Sequence, residues 1–174
     1  MSTRALREAF PETTTVMGMD TSSEMVSMAK FLSRHIEAAR RDLQLGFLRL
    51  QDYQKNVCGS SMFHMGNAED TKLPSKSFDL VTVMYAFHEA PHEGRKKILA
   101  EASRLLMPGG KLVVVDISSD YKPSPSMLAG EPFVLEYQTS IHKQLQNAAG
   151  FLKPKHTNLI KNHVDMWILQ RAVA

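Results

Sequence analysis

Apolar and polar positions fall into regular blocks over residues 66–117, and these blocks predict a strand followed by a helix. Residues 78–85 form a short, nearly continuous apolar run, which is typical of a strand buried on both faces in a parallel sheet. Residues 95–106 repeat apolar positions at helical spacing and predict an amphipathic helix. The polar face of this helix is expected to carry the basic residues Arg95, Lys96, Lys97 and Arg104.

A proline and two glycines, Pro108, Gly109 and Gly110, follow this helix and are expected to stop it. Residues 111–116 include three consecutive valines and predict a second buried strand. Neighbouring parallel strands joined through a helix form a right-handed crossover. The stretch therefore predicts a strand–helix–strand unit of an open α/β sheet.

Weaker patterns predict further elements on both sides of this unit. In chain order they are a short helix capped by Ser2, a strand over residues 13–19, a long helix over residues 25–57 that Gly46 divides, a strand over 61–65, a helix over 132–149 that starts at Pro132, and strands over 155–160 and 164–171. The helix over 132–149 is expected to have an apolar face of Phe133, Tyr137, Ile141 and Leu145. The last two strands predict an antiparallel hairpin. Prolines and serines predict an irregular loop over residues 117–131.

Together these elements predict a single α/β domain over residues 1–174, with a mostly parallel sheet that ends in the antiparallel hairpin. A chain of 174 residues is about one domain long. The net charge of +3 is dispersed along the chain, so no nucleic acid partner is expected. No apolar run approaches the ~20 residues of a membrane span. We therefore expect a soluble protein of the cytoplasm or an organelle lumen, with no membrane span.

Cysteine and histidine positions exclude several kinds of site. Cys58 is the only cysteine, so an internal disulfide is impossible. Histidines are scattered without the spacing of metal ligands, and no metal site is predicted. No serine stands in the glycine-flanked elbow that exposes a nucleophile.

Two predicted strand ends carry candidate chemistry, because open α/β sheets bind ligands outside the carboxyl ends of their strands. Asp20 follows the strand over residues 13–19, where a carboxylate can accept hydrogen bonds from ribose hydroxyls. The same residue can instead simply open the helix that begins near Ser22. Near the end of the strand over residues 78–85, His88 and Glu89 are candidate bases, or alternatively helix-capping or substrate-contacting groups.

Several motifs in a fixed order carry a resemblance to a known family. They are GNAED, LP, SFDLV and LMPGGKLVVVD. The chain resembles class I S-adenosylmethionine-dependent methyltransferases, especially the quinone-biosynthesis C-methyltransferases, over nearly all of residues 2–171. The resemblance implies a Rossmann-like fold, S-adenosylmethionine as cofactor, and methyl transfer to a small-molecule substrate.

The resemblance also implies which residues hold this cofactor. Asp20 would bind the ribose, and the turn with Asn67 and Ala68 would read the adenine ring. Asn67 stands where aspartate is commoner in the family, but its side-chain carbonyl can accept the same hydrogen bond. Further contacts are expected from Thr21, Met25 and Tyr85. The segment over residues 121–150 would cover the active site and help to select the acceptor, or would serve only as a packing helix with an exposed loop.

The family's first strand and glycine loop have no counterpart in the chain, and we expect them to be missing. That strand lies between the strands predicted over residues 13–19 and 78–85, which should then pair directly or leave the sheet split. Two alternative functions remain open. One is a non-catalytic, truncated remnant that binds cofactor weakly or not at all. The other is a nicotinamide-dependent enzyme, but this assignment would not account for the PGG turn and the closing hairpin.

Overall fold

The computed structural model of the chain describes residues 2–45 and 60–173. These residues fall into two compact units, residues 1–68 and residues 69–174. The second half of the helix predicted over residues 25–57, with the break at Gly46, lies outside the described residues. Across the described ranges, no helix is both long and apolar enough to cross a membrane.

The first unit contains a two-stranded parallel sheet. Its elements are α1 (Ser2–Ala9), β1 (Thr15–Asp20), α2 (Ser23–Leu45) and β2 (Ser60–Met65). Paired positions run from Thr15 beside Ser60 to Asp20 beside Met65, so both strands end at the same edge. Ser22 caps α2, because its hydroxyl accepts a hydrogen bond from the Met25 N–H at 3.1 Å.

The second unit contains a four-stranded sheet. Its elements are β3 (Phe78–Met84), α3 (His92–Leu105), β4 (Leu106–Ile117), α4 (Pro125–Gly130), α5 (Val134–Gln146), β5 (Lys155–Ile160) and β6 (Val164–Gln170). The strand order is β3-β4-β6-β5. The predicted strand–helix–strand unit and the closing hairpin are confirmed. The α/β class is confirmed as well, but only two of the four strand pairings among the described strands are parallel.

The core of the second unit lies between α5 and the sheet. Tyr137, Ile141 and Leu145 of α5 are buried against Trp167 of β6. This confirms most of the predicted apolar face, although Val134 is the buried residue at the start of α5. The helix begins at Val134, two residues after Pro132, and α4, capped by the Ser124 hydroxyl, occupies part of the predicted irregular loop.

The PGG turn does not stop α3, which already ends at Leu105. The turn lies inside β4, at an irregularity where the pairing with β3 jumps from Leu106 to Lys111. Gly109 has a φ of 80°, and a Cβ on Gly110 would lie 2.9 Å from the Met107 carbonyl oxygen. Glycine is therefore needed for a bulge that lets the strand continue, rather than for a helix stop.

The burial expected for β3 is wrong. Its residues are half-buried or exposed, whereas β4 carries buried residues along much of its length. Within the four-stranded sheet β3 is a terminal strand and β4 lies between two neighbours, which accounts for the difference. β1 and β3 belong to different sheets, which is the split arrangement expected as one of two possibilities. That a first strand and a glycine loop are missing stays a prediction.

Arg95 was assigned to the polar face of α3, but its side chain is fully buried. Its guanidinium donates to both carboxylate oxygens of Glu136, at 2.6 and 2.8 Å, and to the Gln144 side-chain oxygen at 2.7 Å. It also donates to the Ala90 carbonyl at 2.6 Å. Arg95 therefore joins α3, α5 and the loop after β3, and the partners on α5 are distant in sequence.

Replacing Arg95 with methionine should lower the free energy of unfolding by about 2–4 kcal/mol, because the buried Gln144 oxygen and the partly exposed Glu136 carboxylate lose their donor while the apolar volume is kept. Urea denaturation measures the change. Lys96→Met, on the exposed side of the same helix, is the control and should change stability by less than about 0.5 kcal/mol. Equal effects of the two substitutions would show that the buried network contributes nothing.

Candidate functional site

The candidate site of the second unit begins where β3 ends. Tyr85 has a φ of 52°, in the left-handed region, and its N–H donates to the Val115 carbonyl at 2.9 Å. The backbone thus leaves the sheet sharply while still hydrogen-bonded to β4. Phe87 and His88 follow and are both buried. The predicted position of His88 just past the strand end is confirmed.

Asp116, near the carboxyl end of β4, organises this loop. Its carboxylate is fully buried. One oxygen accepts a hydrogen bond from the Phe87 N–H at 2.8 Å. The other lies 2.5 Å from His88 Nδ1 and also accepts from the Ile117 N–H at 2.7 Å. The carboxylate therefore fixes both the loop backbone and the orientation of the imidazole.

The second ring nitrogen of His88 faces two further carboxylates. Glu131 Oε2 lies 3.4 Å from Nε2, and Glu89 Oε1 lies 3.9 Å away. Glu131 Oε2 is itself buried and has no hydrogen-bond partner among the described residues. Glu89 is largely exposed. The structure thus brings the two predicted bases close together but gives them different surroundings.

The environment raises the pKa of His88. Burial is the largest single influence and by itself lowers this pKa, but the hydrogen bond and negative charge of Asp116, together with the charges of Glu131 and Glu89, more than offset it. Nearby Tyr137 is no competing acid, since burial raises the pKa of its phenol far above the usual range. Its hydroxyl donates to the Ile117 carbonyl at 2.8 Å. His88 is therefore the group suited to take up and hold a proton.

Most of the predicted cofactor residues lie in the first unit, at the edge where β1 and β2 end. The Gly66 N–H donates to the Asp20 carbonyl at 2.9 Å, which joins the two strand ends. The structure thus brings Asp20 and Thr21 near the turn with Asn67 and Ala68, and the side chains of all four are exposed. Met25 lies in the first turn of α2 and is also exposed. Tyr85 belongs to the second unit.

Asp20 has a local contact that matters for its interpretation. Its Oδ1 accepts a hydrogen bond from the Ser22 N–H at 2.8 Å, at the start of α2. The helix-opening interpretation therefore has a contact in the structure. A carboxylate has several acceptor positions, so the same contact is compatible with ribose binding.

Sequence reasoning missed two residues of the His88 site. Asp116 ends the valine-rich strand, so the rule that selected His88, polar residues at carboxyl ends of parallel strands, could also have selected it. Glu131 lies between α4 and α5, in a segment without a periodic pattern. No sequence signal pointed to it.

The raised pKa of His88 predicts how stability depends on pH. Because the folded pKa lies above the unfolded value of about 6.5, the stabilisation is fully present below that value. It is lost as the pH rises through the folded pKa. Urea unfolding of the native chain and of His88→Gln, between pH 5.5 and pH 8.5, should give stability differences that shrink with increasing pH. A difference that grows with pH would contradict the raised pKa.

A known domain family matches most of this chain. The family described as "Methyltransferase domain" matches residues 1–114. The chain is 31% identical over 137 residues to phthiotriol/phenolphthiotriol dimycocerosates methyltransferase 1 of Mycobacterium ulcerans. The aligned residues are 76% of this chain and 49% of that protein. It is 32% identical over 114 residues to demethylmenaquinone methyltransferase of Oceanobacillus iheyensis, with 66% and 39% covered. The chain thus spans about half the length of these curated relatives, or less.

Solved structures share the fold. A SAM-dependent methyltransferase from Methanosarcina mazei matches with a TM-score of 0.60 and 17% identity, over 92% of this chain and 83% of that chain. The [4+2]-cyclase SpnF matches with a TM-score of 0.68 and 15% identity, over 99% and 72%. Such identities support the fold alone, and one fold can host different reactions. From the match over residues 1–114, the chain belongs to the Methyltransferase domain family.

Proposed function

We propose that this chain transfers a methyl group from S-adenosylmethionine to a small-molecule acceptor, and that His88 takes up the proton the acceptor loses. The observation that carries the proposal is the pairing of His88 with buried Asp116 at the carboxyl ends of β3 and β4. Membership of the methyltransferase family supports the reaction class. One relative is named a demethylmenaquinone methyltransferase, so demethylmenaquinone is the first acceptor to assay.

Cofactor binding is assigned to the exposed edge of the first unit. The Asp20 carboxylate can accept hydrogen bonds from two ribose hydroxyls, and the Asn67 side-chain carbonyl can accept one from the exocyclic amine of adenine. The exposure of both side chains supports this assignment, because a ligand can reach them. The additional contacts proposed are Thr21, Met25, Ala68 and Tyr85.

Acceptor binding is assigned to the loop after β3 and to Glu131, in the second unit. S-adenosylmethionine supplies, when bound, a methyl group on a positively charged sulfur, whose bond to that carbon breaks on transfer so that S-adenosylhomocysteine is the leaving group. Alignment of acceptor and methyl group can lower the barrier by about 7–11 kcal/mol in well-oriented systems. As the acceptor forms its new bond to carbon, its proton passes to His88 Nε2, and Asp116 stabilises the imidazolium through Nδ1.

Glu131 and Glu89 have secondary roles in this proposal. Glu131 Oε2, 3.4 Å from His88 Nε2, adds negative charge that favours protonation of the imidazole. Glu89 is largely exposed and is proposed to contact the acceptor. In this proposal the segment with α4 and α5 contributes to both the core and the site, since α5 packs in the core and Glu131 lies beside His88.

Asp20→Ala should lower the affinity for S-adenosylmethionine at least tenfold, because the ribose hydroxyls lose their acceptor. Isothermal titration calorimetry with S-adenosylmethionine and S-adenosylhomocysteine measures the change. Glu24→Gln, an exposed carboxyl group in the first turn of α2, is the matched control and should keep the native affinity.

Other outcomes of this titration have definite meanings. If Asp20 only opens α2, Asp20→Ala should cost about 0.5–2 kcal/mol of stability and leave the affinity unchanged. That result would remove Asp20 from the cofactor site. No binding of either ligand by the native chain would favour the non-catalytic remnant.

His88→Gln should reduce the methylation rate about 10²- to 10⁴-fold, the usual contribution of a general base. The native rate should increase as the pH rises through the raised pKa of His88, since only the neutral imidazole accepts a proton. Release of S-adenosylhomocysteine with demethylmenaquinone, followed from pH 5.5 to pH 9, measures both effects.

His92→Gln is the control for this prediction, because it removes a partly exposed histidine on the same loop-to-helix segment that pairs with Glu136. Its rate and pH profile should stay close to those of the native chain. Glu89→Gln should keep the acid limb of the profile. If Glu89→Gln removes that limb and His88→Gln does not, Glu89 is the base.

A further inference from the structure

Three potential metal ligands from three elements converge outside the proposed catalytic site. His142 lies on α5, His156 on β5 and Asp165 on β6. One ligand atom from each can be chosen so that all three lie within 4.8 Å of one another. Their positions in the sequence do not follow metal-ligand spacing, and the sequence therefore predicted no metal site. The antiparallel hairpin and the packing of α5 bring them together.

The distance between two of these ligands matches metal coordination. His156 Nε2 lies 3.3 Å from Asp165 Oδ2. Two ligands that each bind a tetrahedral zinc ion at about 2.0–2.1 Å lie about 3.3 Å from each other. An ion could therefore bridge this pair with little movement of either side chain, and the nearby imidazole of His142 would provide the third ligand.

Surrounding groups hold all three side chains in place, as the partners of metal ligands usually do. Asp165 is almost completely buried, and its Oδ1 accepts a hydrogen bond from the Asn158 amide at 2.7 Å, which leaves Oδ2 toward His156. His142 Nε2 lies 3.2 Å from the Ser119 hydroxyl oxygen, within hydrogen-bonding distance. Trp167 stacks on His156 with ring centroids 5.1 Å apart and meets the edge of His142 at 5.5 Å.

We propose that His142, His156 and Asp165 form a binding site for a divalent transition-metal ion, with Zn²⁺ the best fit. Two imidazole nitrogens and one carboxylate oxygen, with a water molecule as fourth ligand, suit zinc. Calcium and magnesium prefer oxygen ligands alone. His156 is partly exposed, so an ion can reach the site from solvent. The ion would tie β5, whose side chains are all exposed, to α5, one face of which is buried in the core.

Trp167 makes the proposal directly measurable, because it is the only tryptophan of the chain and stacks on a proposed ligand. The full chain, treated with a chelator and dialysed, is titrated with Co²⁺. We expect one equivalent to quench the tryptophan fluorescence and to produce the visible absorption of four-coordinate Co²⁺. Zn²⁺ should displace it, and zinc at about 100 times its Kd should raise Tm by about 5–10 °C.

His142→Ala and His156→Ala should each weaken Co²⁺ binding at least tenfold, since loss of even a group that only supports a ligand typically costs about 10- to 100-fold. His163→Ala is the matched control, since this exposed histidine lies in the turn between β5 and β6 and outside the cluster. Its affinity should equal that of the native chain. Circular dichroism melting of the metal-free variants checks that each one folds.

Three results would overturn the proposal. The first is the absence of quenching up to about 1 mM Co²⁺. The second is native affinity in His156→Ala, an exposed position where the fold is not at risk. The third is binding that survives in both histidine variants but is lost in Glu131→Gln, which would place the ion at the other cluster of His88, Glu89 and Glu131.

Discussion

The second unit depends on one constraint: the charge of a buried carboxylate must be compensated by hydrogen bonds. Asp116 is fully buried, and an isolated charge in such a position would cost several kcal/mol. The surrounding chain meets this requirement with the Phe87 N–H, the Ile117 N–H and the imidazole of His88. The path of the loop after β3 and the orientation of the proposed base therefore have the same cause.

Arg95 is the complementary buried charge. It binds the carbonyl of Ala90, in the loop that carries His88, and pairs with Glu136 of α5. Asp116, near the end of β4, thus holds the loop from one side, and the Arg95 guanidinium of α3 holds it from the other. The site therefore depends on both Asp116 and Arg95, whether or not either residue contacts the methyl acceptor.

Local patterns predicted the elements of this chain well, and non-local contacts account for what they missed. The runs at β3 and β4, the face of α5 and the closing hairpin follow from periodicity, which depends only on near neighbours in sequence. The polar side of α3 looked uniform in sequence. Arg95 was wrongly placed there because its partners on α5 lie some 40–50 residues away. The PGG turn was also misread, since its strand partner, and not its own sequence, makes it a bulge.

The same distinction applies to the candidate sites. His88 could be found because strand ends are visible in sequence, whereas Glu131 and the cluster of His142, His156 and Asp165 exist only after the helices and the hairpin have packed. The sequence feature that comes nearest to indicating this cluster is Asp165 itself, an acidic residue in a largely apolar strand. The position of Asp20 at the end of β1 was predictable. Whether its carboxylate binds a ribose or only supports the start of α2 depends on its affinity for a ligand, which the fold does not determine.

The register of β4 and β6 has an electrical consequence. Asp116 stands directly opposite Asp165, and both are buried. Like charges in opposite positions of neighbouring strands destabilise a sheet. Here each acid has a histidine beside it, His88 for Asp116 and His156 for Asp165. Each histidine therefore gives its own carboxylate a polar partner, so the pairing of these strands depends on two side chains that belong to neither β4 nor β6.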